Sequence, residues 1–283
     1  MAWLKSQAAL YWLLFVGTFL AVAVWETWRP RAPLAHATQR RWGIHAAILA
    51  LSIILQNVLL RVSPVVLAAM VAGSPYGLLN RAWMPGWLRF AAALLLLDLT
   101  HYGTHRAFHS VGLLWRVHEV HHSDPDYDVS TAGRFHPLEV VGTQGATLLA
   151  VALLAPPPLA VFAAALIAVV LNLVAHANAA LPAELENWLR RALITPDLHR
   201  IHHSEEVAEQ SRNFGQTFSW WDRLFGTFLG GAARGERHFA TGIKELRGDE
   251  TVALGFLLTE PFRRRPPVET DPVLEAPGPP PVH

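Results

Sequence analysis

Cysteine is absent from the 283 residues. That excludes disulfides, thiolate-held zinc, iron–sulfur clusters and cysteine nucleophiles, so any metal must be held by nitrogen and oxygen donors. Charge is scarce too. Asp, Glu, Lys and Arg make up 16% of the chain and leave a net charge of +1, which gives no argument for nucleic-acid binding. There is no internal repeat beyond one short histidine pattern, and no sign of a second globular domain.

Apolar residues stand in place of the missing charge. They make up 52% of the chain and its mean hydropathy is +0.26, values that fit a polytopic membrane protein better than a water-soluble domain. Eleven tryptophans agree, since Trp gathers at membrane–water interfaces. The expected fold is all-α: about four to five transmembrane helices with a cytoplasmic histidine-rich helical cap. Residues 8–24 form the first apolar run. Lys5 precedes it as in a signal peptide, but no small-residue cleavage site follows, and Trp28-Arg29-Pro30 reads as a membrane exit. Arg29, Arg31, Arg40 and Arg41 then assign the next loop to the cytoplasm. Runs over 44–60, 87–100, 142–155 and 159–175 complete five crossings, the last two a short-armed hairpin around Pro156 to Pro158. Residues 64–72 are too short to cross and are expected at the outer interface. A single domain over 1–265 is expected, followed by a Pro-rich tail, 266–283, that cannot bury a core and reads as disordered.

Histidine carries the chemistry. Six of the fifteen fall within His101 to His122, and His199-Arg-Ile-His202-His203 repeats the HxxHH of His118 to His122. Spacings of three and four put imidazoles on one helix face, and imidazole is the commonest nitrogen ligand of transition metals. His105, His109, His118, His121, His122, His199, His202 and His203 are too many for one metal and suit two. His176, where the hairpin returns, is a ninth candidate. His101 is expected beside the centre rather than on it, and His136 is weighed between ligand and loop anchor. His36, His45, His238 and His283 fall outside the cluster.

Imidazole donors suit iron, zinc, copper and nickel alike, so the metal stays open at this point. A closed structural zinc site needs only four ligands. Two adjacent metals with open positions suggest chemistry, which for iron means activation of O₂. Asp98, Glu119 and Asp197 are the sequence-near carboxylates that could orient ligating imidazoles. A competing pattern shares these letters. His118-Glu119-Val120-His121-His122 contains HExxH, the zinc-peptidase signature, but His199 to His203 has no glutamate to match, and a peptidase would leave most of the other histidines without a role. A membrane metal-binding protein without catalysis is the third reading.

The ordered motifs DLTHYGTHRAFH, LWRVHEVHHS, RFHPLE, HANAALP, TPDLHRIHHS, RNFG and WWDRLFGT, from Asp98 to Thr227, resemble the fatty acid hydroxylase/sterol desaturase superfamily. The resemblance implies a membrane-bound non-haem di-iron oxygenase that uses O₂ and two electrons to hydroxylate or desaturate a lipid C–H bond. It assigns metal to His105 and His109; to His118, His121 and His122; and to His199, His202 and His203, with His176 between. It implies two iron ions, with zinc possible in purified protein, and a lipid substrate drawn from the bilayer. Gly103 and Phe214 depart from the family's usual Trp and Tyr, at positions outside the ligand set. The chain has no fused His-Pro-Gly-Gly haem segment, so a separate reductase, ferredoxin or cytochrome-type donor is implied. His101, Asp98, Asn213, Arg134, Trp220 and Trp221 are expected to line or support the pocket. Its Ala/Arg/Pro-rich composition points to a bacterial inner membrane, with the metal site and C-terminus cytoplasmic.

Overall fold

The computed structural model describes residues 2–80, 83–233, 235 and 239–263. His238, His283 and the segment 266–283 lie outside them. Among the described residues the architecture is helical, with only isolated β-bridges. The long elements are α1 (Ala2–Trp28), α2 (Thr38–Leu60), α3 (Pro64–Val71), α4 (Gly86–Ser110), α5 (Gly112–His122), α6 (Pro137–Leu154) and α7 (Pro158–Ala175). Short helices follow: α8 (Ala183–Leu189), α9 (Pro196–His202), α10 (Val207–Gln210), α11 (Trp220–Leu224) and α12 (Leu254–Thr259).

Four stretches are long and apolar enough to cross a membrane: Ser6–Trp28, Thr38–Val71, Pro137–Leu154 and Pro158–Ala175. The run over 87–100 is not among them. At a rise of 1.5 Å per residue it reaches only about 21 Å against roughly 30 Å of hydrocarbon, and α4 then turns polar from Asp98 onward. This helix is instead the central post, packed against α5, α6 and α7. The segment 64–72 does not stand apart from the helix bundle. Its helix α3 packs on α6 and α7, with Ala68, Leu97, Val151 and Val161 forming one buried cluster.

The α6–α7 turn has its own cap. Ala155 adopts the left-handed conformation (φ 46°) before the prolines start α7. The last carbonyls of α6 are then satisfied from outside, by Leu78 N–H to Leu153 O (3.1 Å) and Leu79 N–H to Leu154 O (2.9 Å). Gly77 permits this approach, since a Cβ there would lie 2.2 Å from Ala155 Cβ.

The segment after the first span is not a free basic loop. Arg41 is fully buried and donates to Asp128 (2.5 Å), Asp124 (2.8 Å) and the Asp126 carbonyl (3.2 Å). Arg31 pairs with Asp197. Two of the four arginines that argued for a cytoplasmic loop are thus spent inside the protein. Glu26 accepts from the backbone N–H groups of Val129 (2.8 Å) and Asn178 (2.6 Å), and Asp126 accepts from those of Ala35 and His36. Together these contacts pin the 123–134 segment, which links α5 to α6, against the start of the chain.

Candidate metal centre

Val111 turns the chain sharply between α4 and α5, which lays His105 and His109 of α4 against His118 and His122 of α5. Helix α9 is started by Thr195, whose side chain accepts from Leu198 N–H, with Pro196 at its first position. It brings His199 and His202, with His203 just past its end. His176 sits at the C-terminal end of α7. The nine imidazoles form two groups: His105, His109, His118, His122 and His202; and His121, His176, His199 and His203. Within each, one ligand atom per residue lies within 4.8 Å of the others.

Each HxxHH is divided between the groups. Residues four apart, His118 with His122 and His199 with His203, stay together. The residue at i+3, His121 or His202, crosses to the other group. On a helix, i+4 lies about 40° to one side of residue i and i+3 about 60° to the other, so one turn of helix can serve two adjacent centres.

The hydrogen bonds fix which nitrogen faces inward. His105 Nδ1 meets the Phe214 carbonyl (2.9 Å), His118 Nδ1 meets Glu139 (2.6 Å), His176 Nδ1 meets the Asn172 carbonyl (2.8 Å) and His202 Nδ1 meets the Arg212 carbonyl (2.7 Å). Those oxygens accept, so the proton is on Nδ1 and the Nε2 lone pair points into the site. The lone pairs of His105 Nε2 and His118 Nε2 then face one another at 3.1 Å, and His199 Nε2 lies 3.1 Å from the lone pair of His176 Nε2. Nε2 of His109, His202 and His203 are buried with no hydrogen-bond partner. Opposed lone pairs and orphaned acceptors are unfavourable alone and are what a cation in each group would resolve. The residues present fit two metal ions. Burial pushes His118 down to about 3 and, with neighbouring histidines, holds His121, His122, His199, His202 and His203 well below the ordinary imidazole value. The imidazoles are therefore neutral at physiological pH, the form that ligates.

The segment 212–215 supplies two of these orienting carbonyls. Asn213 takes a left-handed conformation (φ 55°), open to Asn at low cost, which turns the flanking Arg212 and Phe214 carbonyls toward His202 and His105. Its side chain bonds the Leu198 carbonyl and both polar backbone atoms of Leu229. Asp222 accepts from Phe214 and Gly215 N–H (2.7 and 2.9 Å). Gly215 admits no Cβ, which would stand 2.6 Å from the Phe218 carbonyl.

A cavity of about 200 Å³ opens beside both groups. His105, His118, His121, His176 and His199 form its metal side, and His101 and Glu139 also line it. Asp98 and Asn213 are not among its lining residues. Asp98 instead accepts from Thr217 N–H, Phe218 N–H and the Trp221 indole. Arg134 lies behind α5, donating to the carbonyls of Val120, His121 and Thr251, while Trp220 stacks on Phe218. His136 caps α6 and takes no part in either group. Glu119 does not line the cavity, so nothing places it as the base of a peptidase. Asp197 is engaged by Arg31, and the carboxylate on a grouped histidine is Glu139. Its signal in the sequence was the helix start His136-Pro137-Leu138-Glu139, which aims an acidic residue from the first turn of α6.

Glu139→Gln will keep the shape of the side chain but weaken its hold on the His118 proton. Metal affinity is expected to fall about 10–100-fold, read by competition with a chelator, with little change in thermal unfolding of the metal-free protein.

Residues 90–227 match the fatty acid hydroxylase family. The ornithine lipid hydroxylase OlsE of Rhizobium tropici is 28% identical over 92% of this chain and 78% of its own length. Human alkylglycerol monooxygenase is 33% identical over 54% of this chain but only 33% of its own length. Methylsterol monooxygenase 2-2 of Arabidopsis thaliana is 29% identical over 59% of this chain and 64% of its own length. No solved structure matches.

Proposed function

The chain belongs to the fatty acid hydroxylase/sterol desaturase superfamily, and we propose that it is a membrane-bound di-iron oxygenase that hydroxylates or desaturates a bilayer lipid. The observation that carries this reading is the pair of inward-facing nitrogen sets opening on one cavity between membrane helices. All-nitrogen donors in groups of five and four, with an open side, suit metals that do chemistry. Bound there, two iron ions would supply O₂ reduction and removal of hydrogen from an unactivated carbon.

The protein's own groups do the rest. Glu139 and the carbonyls of Arg212, Phe214 and Asn172 hold four imidazoles in the ligating tautomer. Phe108, Phe135, Val140, Ala175 and Ile194 line the cavity, exclude water and receive the alkyl part of a lipid arriving from between the membrane helices. For hydroxylation, a C–H bond, O₂, two electrons and two protons give an alcohol and water. Desaturation uses two adjacent C–H bonds with the same O₂, electrons and protons and gives an alkene and two waters. The electrons come from a separate reductase, ferredoxin or cytochrome-type donor. That donor argues for a cytoplasmic metal side, in a bacterial inner membrane, with Arg29 and Arg40 as the exposed positive charges beside the first two spans.

The test uses purified protein in nanodiscs of host lipid, with a chemical or reductase electron source and isotopically labelled O₂. One labelled oxygen atom in a lipid alcohol, or an O₂-dependent double bond, supports the reading. Peptide cleavage without O₂ consumption would overturn it.

A further inference from the structure

The cavity is not uniformly apolar. Thr143 and Gln144 of α6, Thr104 and His101 of α4, Asn172 of α7 and Gln216 also line it. Most of these are satisfied by the protein. Thr104 donates to the Thr100 carbonyl, Asn172 to the Ala132 carbonyl, and His101 bonds Gln216. Thr143 and Gln144 are the exceptions, and Gln144 carries the larger polar group. Among the described residues none hydrogen-bonds its side chain, although it lies on a helix long and apolar enough to span the membrane. An amide with two donors and two acceptor lone pairs is costly to leave facing hydrocarbon. A bare alkyl chain filling the cavity would strand it.

We propose that Gln144 binds a hydrogen-bonding group of the lipid, so that the substrate is an amphiphile oxidised close to its polar group rather than in mid-chain. The proposal rests on the oxygenase reading and adds the substrate class. Position along α6 sets the distance. Glu139, which touches His118, and Gln144 are five residues apart, roughly 7.5 Å of helix rise. Both line the same cavity as the grouped histidines. A polar group held by Gln144 therefore presents carbons only a few bonds away to the metal side, while the rest of the chain runs out into the bilayer. A hydroxyl or amide near the reacting carbon would satisfy the geometry. A saturated carbon far along an acyl chain would not.

The experiment measures binding without turnover. Metal-loaded protein in nanodiscs is titrated with 1-hexadecanol, hexadecanamide and hexadecane, and affinity is read from the shift in unfolding temperature. The wild type is expected to bind the two polar probes on the order of tenfold more tightly than the alkane, the worth of about one hydrogen bond. Gln144→Leu and the closer isostere Gln144→Met should abolish that preference and leave hexadecane binding unchanged. Their unfolding temperature without probe should match the wild type, since no protein partner is lost. Equal affinity for all three probes in the wild type, or a preference that survives both substitutions, would overturn the proposal. Labelled-oxygen incorporation by the wild type decides the oxygenase reading separately, so the two failures are distinguishable.

Discussion

Alanine at His202 will loosen metal binding in the first histidine group and bring lipid oxidation to background, while the protein still inserts and folds. His202 is fully buried, its Nδ1 proton is held by the Arg212 carbonyl, and its Nε2 meets no protein partner. It is also the residue by which α9 reaches the group built mainly from α4 and α5. Removing it leaves His105, His109, His118 and His122 without the ligand that ties them to α9. The second group keeps all four of its histidines, so one of the two proposed metal ions should stay tightly held while the other is removed more readily by a chelator. On the proposed di-iron reading, activity should fall by several orders of magnitude, because an oxidation that needs both ions has no partial route. His136→Ala, which removes a buried histidine outside both groups, should leave metal content unchanged. If His202→Ala holds both ions as tightly as the wild type and keeps near-normal turnover, the assignment of His202 fails.

The second large effect lies away from the site. Arg41→Met is expected to cost about 3–5 kcal/mol, the usual consequence of leaving buried charges uncompensated, and folded protein should scarcely accumulate. Asp124, Asp126 and Asp128 surround this guanidinium, and none of the four side chains is exposed. Burial alone would raise the Asp124 carboxyl, but Arg41 and Arg134 outweigh it and hold the group well below the usual carboxylate range. The stabilisation is therefore present at neutral pH and is lost as the pH falls through that depressed value. Combining Arg41→Met with Asp124→Asn and Asp128→Asn removes the guanidinium and two of its three carboxylates, leaving Asp126 to His36, and should recover most of the folded yield. Because the 123–134 segment joins α5 to α6, its loosening in the single variant should also separate His118 from Glu139. Thermal unfolding and membrane yield of the single and triple variants check this, and equal losses in both would refute the charge argument.

Much of the site was legible because its signal is local. Spacings of three and four are short-range statements about one helix face, and the eight histidines they single out are gathered by the structure together with His176, which was singled out by its place at the hairpin's return. The division into five and four was not legible. It depends on how α5 and α9 are rotated about their axes, which is set by packing against α4 and α7. Partners distant in sequence were also hidden. Glu139 reaches His118 across 21 residues, and Arg41 reaches Asp124 across 83, and nothing in a single sequence announces either contact. Asp98 shows the limit of nearness in sequence: it is close to His101 along the chain but hydrogen-bonds the 217–221 segment. The helical membrane class followed from apolar run lengths. The role of α4 did not, since a helix that starts apolar and ends in ligands reads as a crossing until its shortfall in apolar length is counted.

The central claim is two metal ions in one cavity. Elemental analysis of the purified wild-type protein, expressed in iron-supplemented medium and counted per chain, tests it most directly. The two histidine groups predict two iron ions per chain, one of them more readily removed by a chelator in His202→Ala. A single zinc ion, unaffected by that substitution but lost in His118→Ala, would contradict it.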